Sequence, residues 1–70
     1  MRIILYLNDL NMFSPAIYLK FYLITNYNLT TLICFEHEIN TFTETDIVIP
    51  FDSNAGKSCY KHKIKNCLIN

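Results

Sequence analysis

Residues 14–26 read SPAIYLKFYLITN and carry the strongest local signal in the chain. Ser14 can place its side-chain oxygen on the free amides of a first helical turn, and Pro15 suits the first helical position because it has no amide to leave unpaired there. The pattern predicts a helix from Pro15 to about Asn26. Only Lys20 and the two ends are strongly polar, so we expect most of the helix circumference to be buried. The aromatic and β-branched content would also permit a strand.

Apolar runs on either side of this helix predict strands. Residues 2–7, RIILYL, form a short apolar run before a polar turn, and residues 29–36, LTTLICFE, are rich in Thr, Ile and Phe. Residues 46–51, DIVIPF, form a third run, in which Pro50 lacks an amide and so either lies at an edge or ends the strand. Residues 37–46, HEINTFTETD, make a polar connection between the second and third strands.

The end of the chain favours a second helix. Residues 52–54, DSN, are of the types that cap helices with side-chain oxygens. Over residues 57–69 the apolar positions recur at helical spacing and are expected to face the core: Tyr60, Ile64, Cys67 and Leu68. In this helix Cys59 and His62 would share an outer face. The alternation in YKHKIK, residues 60–65, would also suit a strand.

These elements follow the order β-α-β-β-α and predict a small α+β domain that occupies residues 1–70. A chain of 70 residues makes one domain at most and buries only about 60% of the surface its unfolded form exposes, so a sizeable catalytic cleft is not expected. We therefore predict a protein that is not an enzyme. Because the chain has a single glycine, asparagine is expected to take turn positions with positive φ.

Composition and charge narrow the partners only slightly. Apolar residues make up 51% of the chain and charged residues 17%, which indicates a globular protein. Residue types with AT-rich codons are far more frequent than types with GC-rich codons, which suggests an AT-rich genome. A cluster of aromatic residues or lysines is therefore weaker evidence for a function than it would be in another chain. The net charge is zero, with acidic side chains over residues 36–52 and lysines over residues 57–65. Mutual neutralisation of the two blocks is favoured over steering of an anionic partner.

The cysteine count bears on the compartment. Three cysteines cannot all pair within one chain, and the first residues hold too few apolar positions for a secretory signal. Both observations favour free thiols in a reducing compartment, and so a cytoplasmic protein.

Two short motifs overlap in residues 51–62, FDSNAGKSCYKH. The letters AGKS match the end of a phosphate-binding loop, but Phe51 stands where the first glycine of that loop is needed. No cofactor is predicted. Two Cys-x2-His pairs are the right ligand types for tetrahedral zinc, and they are Cys34 with His37 and Cys59 with His62. The separation between the two pairs is not an established zinc spacing, so no metal is predicted. These four residues are kept as a zinc hypothesis. The alternative is that Cys34 is a buried core residue and that the histidines lie on the surface.

For function, we predict that the protein acts by binding another protein or by self-association. The main alternative is membrane association through residues 15–35, which are long enough to span a bilayer but have Asn26 and Asn28 near the centre, so that a peripheral helix over residues 15–26 is easier. Nucleic-acid binding is not expected, because the basic tail has four lysines and no arginine. A zinc-binding mini-domain and a product without a selected function are further alternatives.

Overall fold

The computed structural model describes residues 1–68. In chain order its strands and helices are β1 (Ile3–Tyr6), α1 (Phe13–Tyr27), β2 (Thr31–Cys34), β3 (Ile47–Pro50) and α2 (Ser53–Lys61). Two 3-10 helices, Leu10–Met12 and Glu36–Thr41, lie in the connections before α1 and after β2. The predicted order β-α-β-β-α and the small α+β domain are confirmed.

The three strands form one parallel sheet in the order β2-β1-β3. In the register, Ile4 of β1 lies opposite Leu32 of β2 and Val48 of β3. The central strand is uninterruptedly apolar because helices cover both of its faces. Ile4 and Tyr6 point towards α2, and Ile3 and Leu5 point towards α1.

The start of α1 differs from the prediction. The helix begins at Phe13, its N-cap is Met12 without a side-chain hydrogen bond, and Ser14 already lies in the first turn. Ser14 does not act as the N-cap of α1, because the 3-10 helix Leu10–Met12 runs directly into α1. The N-cap of that 3-10 helix is Asp9, whose side chain accepts a hydrogen bond from the amide of Asn11 at 2.9 Å. At the other end, Asn28 has φ of 53° and takes the left-handed position expected of an asparagine.

The expectation that most of α1 would be buried is wrong. Only Ala16 is fully buried in the 15-residue helix, whereas Tyr18, Phe21 and Tyr22 are 80%, 62% and 53% exposed. A four-residue strand is about 13 Å long, and a 15-residue helix is about 22 Å long, so the sheet is too small to cover the helix. The chain has more apolar helix surface than it has sheet to bury it against.

The C-terminal part of the prediction is correct at its start and wrong at its end. Asp52 caps α2, but the helix stops at Lys61, and Tyr60 is 82% exposed instead of facing the core. Lys63, with φ of 55°, turns the chain back towards the sheet. Residues 66–68 then pair with the outer edge of β3: the Val48 amide donates to the carbonyl of residue 66 at 2.9 Å, and the amide of residue 68 donates to the Val48 carbonyl at 2.8 Å. The helical prediction for residue 69 lies outside the described residues.

Candidate interaction surface

The outer side of α1 carries a cluster of exposed aromatic rings, here called the aromatic face: Tyr18, Phe21, Tyr22 and Tyr27. The first three are spaced three and four residues apart and therefore share one side of the helix. Tyr27, at the end of the helix, is 59% exposed and meets the Tyr22 ring edge-on, with ring centroids 5.8 Å apart. All four side chains are aromatic, and the face is apolar apart from its three tyrosine hydroxyl groups.

An apolar groove continues the aromatic face towards the sheet. It lies between α1 and the edge strand β2, has a volume of about 440 Å³, and shares Phe21 with the aromatic face. Its walls also include Ile17 of α1 and Ile33 of β2, together with Phe13 and Phe35, whose rings stack with centroids 6.5 Å apart. The aromatic face and the groove together make one continuous surface on the side of the molecule that α2 does not occupy.

A different surface lies at the carboxyl ends of β1 and β3, where parallel α/β sheets usually bind their ligands. Here the backbone amides are already used by the protein itself. The Asp52 carboxylate accepts hydrogen bonds from the amides of Asn8 at 2.8 Å, Asp9 at 2.9 Å and Ala55 at 2.8 Å. Burial alone would raise the pKa of Asp52, but these hydrogen bonds lower it below its ordinary value. A phosphate approaching the start of α2 would meet a carboxylate and occupied donors.

A polar cleft of about 340 Å³ lies beside this capped turn. Its lining includes Asn8, Glu36, Asn54, Lys57 and Lys61. The lysines are exposed, and no ion pair links either of them to a carboxylate within residues 1–68. A cleft of this kind is the ordinary solvated polar side of an amphipathic helix.

The four residues of the zinc hypothesis lie in two different environments. Cys34 and Cys59 are buried in the core beneath α2, whereas the side chain of His37 is 79% exposed and His62 is exposed at the end of α2. The expectation that Cys59 and His62 share an outer face is therefore wrong. In the part of the chain that the structure describes, no three His, Cys, Asp or Glu side chains come together as a metal site would require.

The buried thiols have the properties of core residues. Burial raises the pKa of the Cys34 thiol, and burial together with the neighbouring Cys67 thiol raises the pKa of Cys59 to about 12. Both groups are therefore protonated at neutral pH. A protonated, buried thiol is a poor nucleophile.

The charged blocks of the second half meet at one contact. The Lys65 ammonium lies 2.9 Å from the Glu44 carboxylate, and both side chains are largely exposed. A stronger pair joins the residue before β1 to the residue before β3: the Arg2 guanidinium donates to the two carboxylate oxygens of Asp46 at 2.9 and 2.6 Å. That contact lies at the amino ends of β1 and β3.

No protein-family model, curated protein or solved structure matches this chain. Within residues 1–68, no helix combines the length and the apolar character needed to cross a bilayer. The aromatic face was not predicted as a site, although its spacing was visible in the sequence. The same aromatic residues suit a buried helix equally well, and only the size of the sheet shows that they remain outside.

Proposed function

We propose that this chain is a non-enzymatic interaction module whose aromatic face binds the same face of a second copy. The observation that carries the proposal is the exposure of Tyr18, Phe21 and Tyr22, each more than half accessible on one side of α1. Exposed aromatic clusters of this kind are characteristic of protein interfaces, where rings supply large contact area with few rotatable bonds.

The available area suits an interface between two copies. A fully exposed aromatic ring presents about 200 Å², so the four partly exposed rings of the aromatic face present about 500 Å². Two copies would then bury about 1,000 Å² in total, which reaches the lower limit of specific interfaces before the groove is counted. A twofold axis that passes through the aromatic face, outside α1, would bring each aromatic face onto its own equivalent.

The charge distribution also favours a second copy. The aromatic face carries no charge and the whole chain has a net charge of zero, so two copies meet no electrostatic repulsion. The only charged side chain of α1 is Lys20, which is half-buried at the groove. One lysine would add little to the binding of α1 to an anionic bilayer, because peripheral helices bind such surfaces through several basic residues.

The absence of catalysis in this proposal rests on the chemistry of the candidate groups. Asp52 is engaged by three amides, and the buried thiols are protonated. Neither arrangement supplies an activated nucleophile beside a free oxyanion site.

Sedimentation velocity over a range of concentrations tests the proposed dimer. We expect the wild-type chain to pass from monomer to dimer as concentration rises, and the double variant Tyr18→Lys/Tyr22→Lys to remain monomeric, with a dissociation constant at least about thirtyfold higher. Tyr60→Lys is the control for an added surface charge, because it places one lysine on a tyrosine of α2 that is as exposed as Tyr18. Circular dichroism of each variant shows whether the fold is retained.

Two results would contradict the proposal. A wild-type chain that stays monomeric at every concentration would contradict the dimer, and its flotation with neutral lipid vesicles would point to membrane binding instead. A dimer that Tyr60→Lys disrupts and the α1 double variant leaves intact would place the interface on α2.

A further inference from the structure

Two of the three cysteines approach each other beneath α2. Cys59 lies on the inner side of that helix and is 1% exposed, and Cys67 is half-buried in the segment that pairs with β3. Both belong to the same apolar cluster, which also includes Val48 of β3. The cysteines are eight positions apart in the chain, and the turn at Lys63 folds the second one back beneath the first.

The strand register explains why the two side chains face each other. Cys67 forms a parallel bridge with Val48, so the two side chains point to the same face of the sheet. Val48 is fully buried on the face that α2 covers. Cys59 lies on the side of α2 that packs against that face, one helical turn after the buried Ala55.

We propose that Cys59 and Cys67 form a reversible intramolecular disulfide when the protein meets a low-molecular-weight disulfide such as oxidised glutathione. The bond would link the segment of residues 66–68 to α2 and so keep that segment paired with the outer edge of β3. In the reduced protein the segment is held there by the two backbone hydrogen bonds to Val48.

The reaction proceeds by two exchanges. Cys67 is the more accessible thiol; as a thiolate it attacks one sulfur of oxidised glutathione, forms a mixed disulfide and releases one glutathione thiolate. Cys59 then loses its proton to solvent, and its thiolate attacks the Cys67 sulfur and displaces the second glutathione. Two protein thiols are oxidised to one disulfide, and one external disulfide is reduced to two thiols. The second exchange is the slower one, since burial disfavours the Cys59 thiolate.

Cys34 provides an internal control. It lies in β2, and both β1 and β3 separate it from the segment that carries Cys67. Three strand spacings make a distance of about 14 Å, whereas a disulfide requires Cβ atoms about 4 Å apart. Cys34 and Cys67 therefore cannot pair in the folded protein.

Peptide mapping after oxidation tests the proposal. The folded chain is incubated with oxidised glutathione, its remaining thiols are alkylated, and trypsin cleaves at the intervening lysines. We expect one cross-linked product that joins residues 58–61, SCYK, to residues 66–70, NCLIN, and that reduction separates. Cys34→Ser should leave this product unchanged, and Cys59→Ser should leave Cys67 carrying a single glutathione. The melting temperature of the wild-type chain should rise by about 10 °C on oxidation and return on reduction.

The wild-type map alone decides the outcome, even if a cysteine variant fails to fold. A cross-link through Cys34, a disulfide between two chains, or glutathione that stays on Cys67 of the wild-type protein would each overturn the proposal. The test is independent of the aromatic face, because neither cysteine lies on α1.

Discussion

The two helices are attached to the sheet in different ways. On the α2 side, side-chain hydrogen bonds join residues far apart in the chain: the Tyr6 hydroxyl donates to the Ser58 hydroxyl at 2.9 Å, and Asp52 binds the amides after β1. On the α1 side, within residues 1–68, the side-chain hydrogen bonds of the helix are local, as in the 3.0 Å contact from the Asn26 amide group to the Tyr22 carbonyl. Polar contacts over long separations specify one arrangement, whereas apolar contact alone tolerates several.

The difference separates the side that stabilises the fold from the side for which we propose a role in association. The α2 side holds a closed core in which polar groups are paired and the sheet edge is covered. The α1 side buries one helical residue completely and leaves the aromatic face outside. Substitutions on the two sides should therefore have different effects. We expect those on the α2 side to reduce folding stability and those on the α1 side to reduce association.

The largest loss of stability is expected from Arg2→Ala. The substitution leaves the Asp46 carboxylate, whose side chain is 1% exposed, without its guanidinium partner. Chemical denaturation should show a greater decrease in the free energy of unfolding than for any substitution described below. An unchanged unfolding midpoint would mean that β1 and β3 are held together without this pair.

The same ion pair predicts a dependence on acid. The hydrogen bonds from Arg2 hold the pKa of Asp46 far below its ordinary value, so the carboxylate stabilises the fold at any pH above the unfolded pKa of about 4. That stability should be lost progressively as the pH falls below about 4. Urea midpoints measured from pH 7 to pH 2 should show this slope in the wild-type chain and a shallower one in Asp46→Asn.

A matched pair of substitutions compares the core with the aromatic face. Ile4→Ala should cost about 3 kcal/mol, because it opens a cavity in the fully buried central strand. Tyr18→Ala should change stability by less than about 0.5 kcal/mol, since its ring is 80% exposed. Both values come from urea unfolding at a concentration at which the chain is monomeric. Equal losses would show that the Tyr18 side chain is packed as tightly as that of Ile4.

The capping turn of α2 should show an intermediate effect. Asp52→Ala removes the acceptor of three backbone amides and should cost about 2 kcal/mol. Asp9→Ala is the matched control; it removes the cap of a three-residue 3-10 helix and should cost about 0.5 kcal/mol. Thermal melts followed by circular dichroism measure both. A larger loss for Asp9→Ala would place the critical turn before α1 instead of before α2.

Apart from the control substitutions Tyr18→Ala and Asp9→Ala, the smallest effect is expected at the buried hydroxyl pair. Ser58→Ala and Tyr6→Phe should each cost about 1 kcal/mol, because each leaves one buried hydroxyl without its partner. The double variant should lose less than the sum of the two, since it removes both hydroxyls together. Additive losses in this double-mutant cycle would mean that the two hydroxyls do not interact.

The sequence by itself determined the elements that depend on neighbouring residues. The three apolar runs became strands, the helix around residues 15–26 formed, Asp52 capped α2 and Asn28 took the left-handed position. Each of these features is encoded by a pattern within a few residues: side-chain composition and periodicity, a capping oxygen or a backbone conformation that asparagine tolerates.

The tertiary structure alone decided where those elements lie and which surfaces remain open. Parallel pairing in the order β2-β1-β3, the return of Cys67 to the edge of β3 and the exposure of Tyr18 depend on residues distant in the chain. An aromatic helix has the same local pattern whether a large sheet buries it or a small one leaves it half exposed. The physical reason is that burial is set by the area available opposite each side chain, and here three four-residue strands are too small to cover α1.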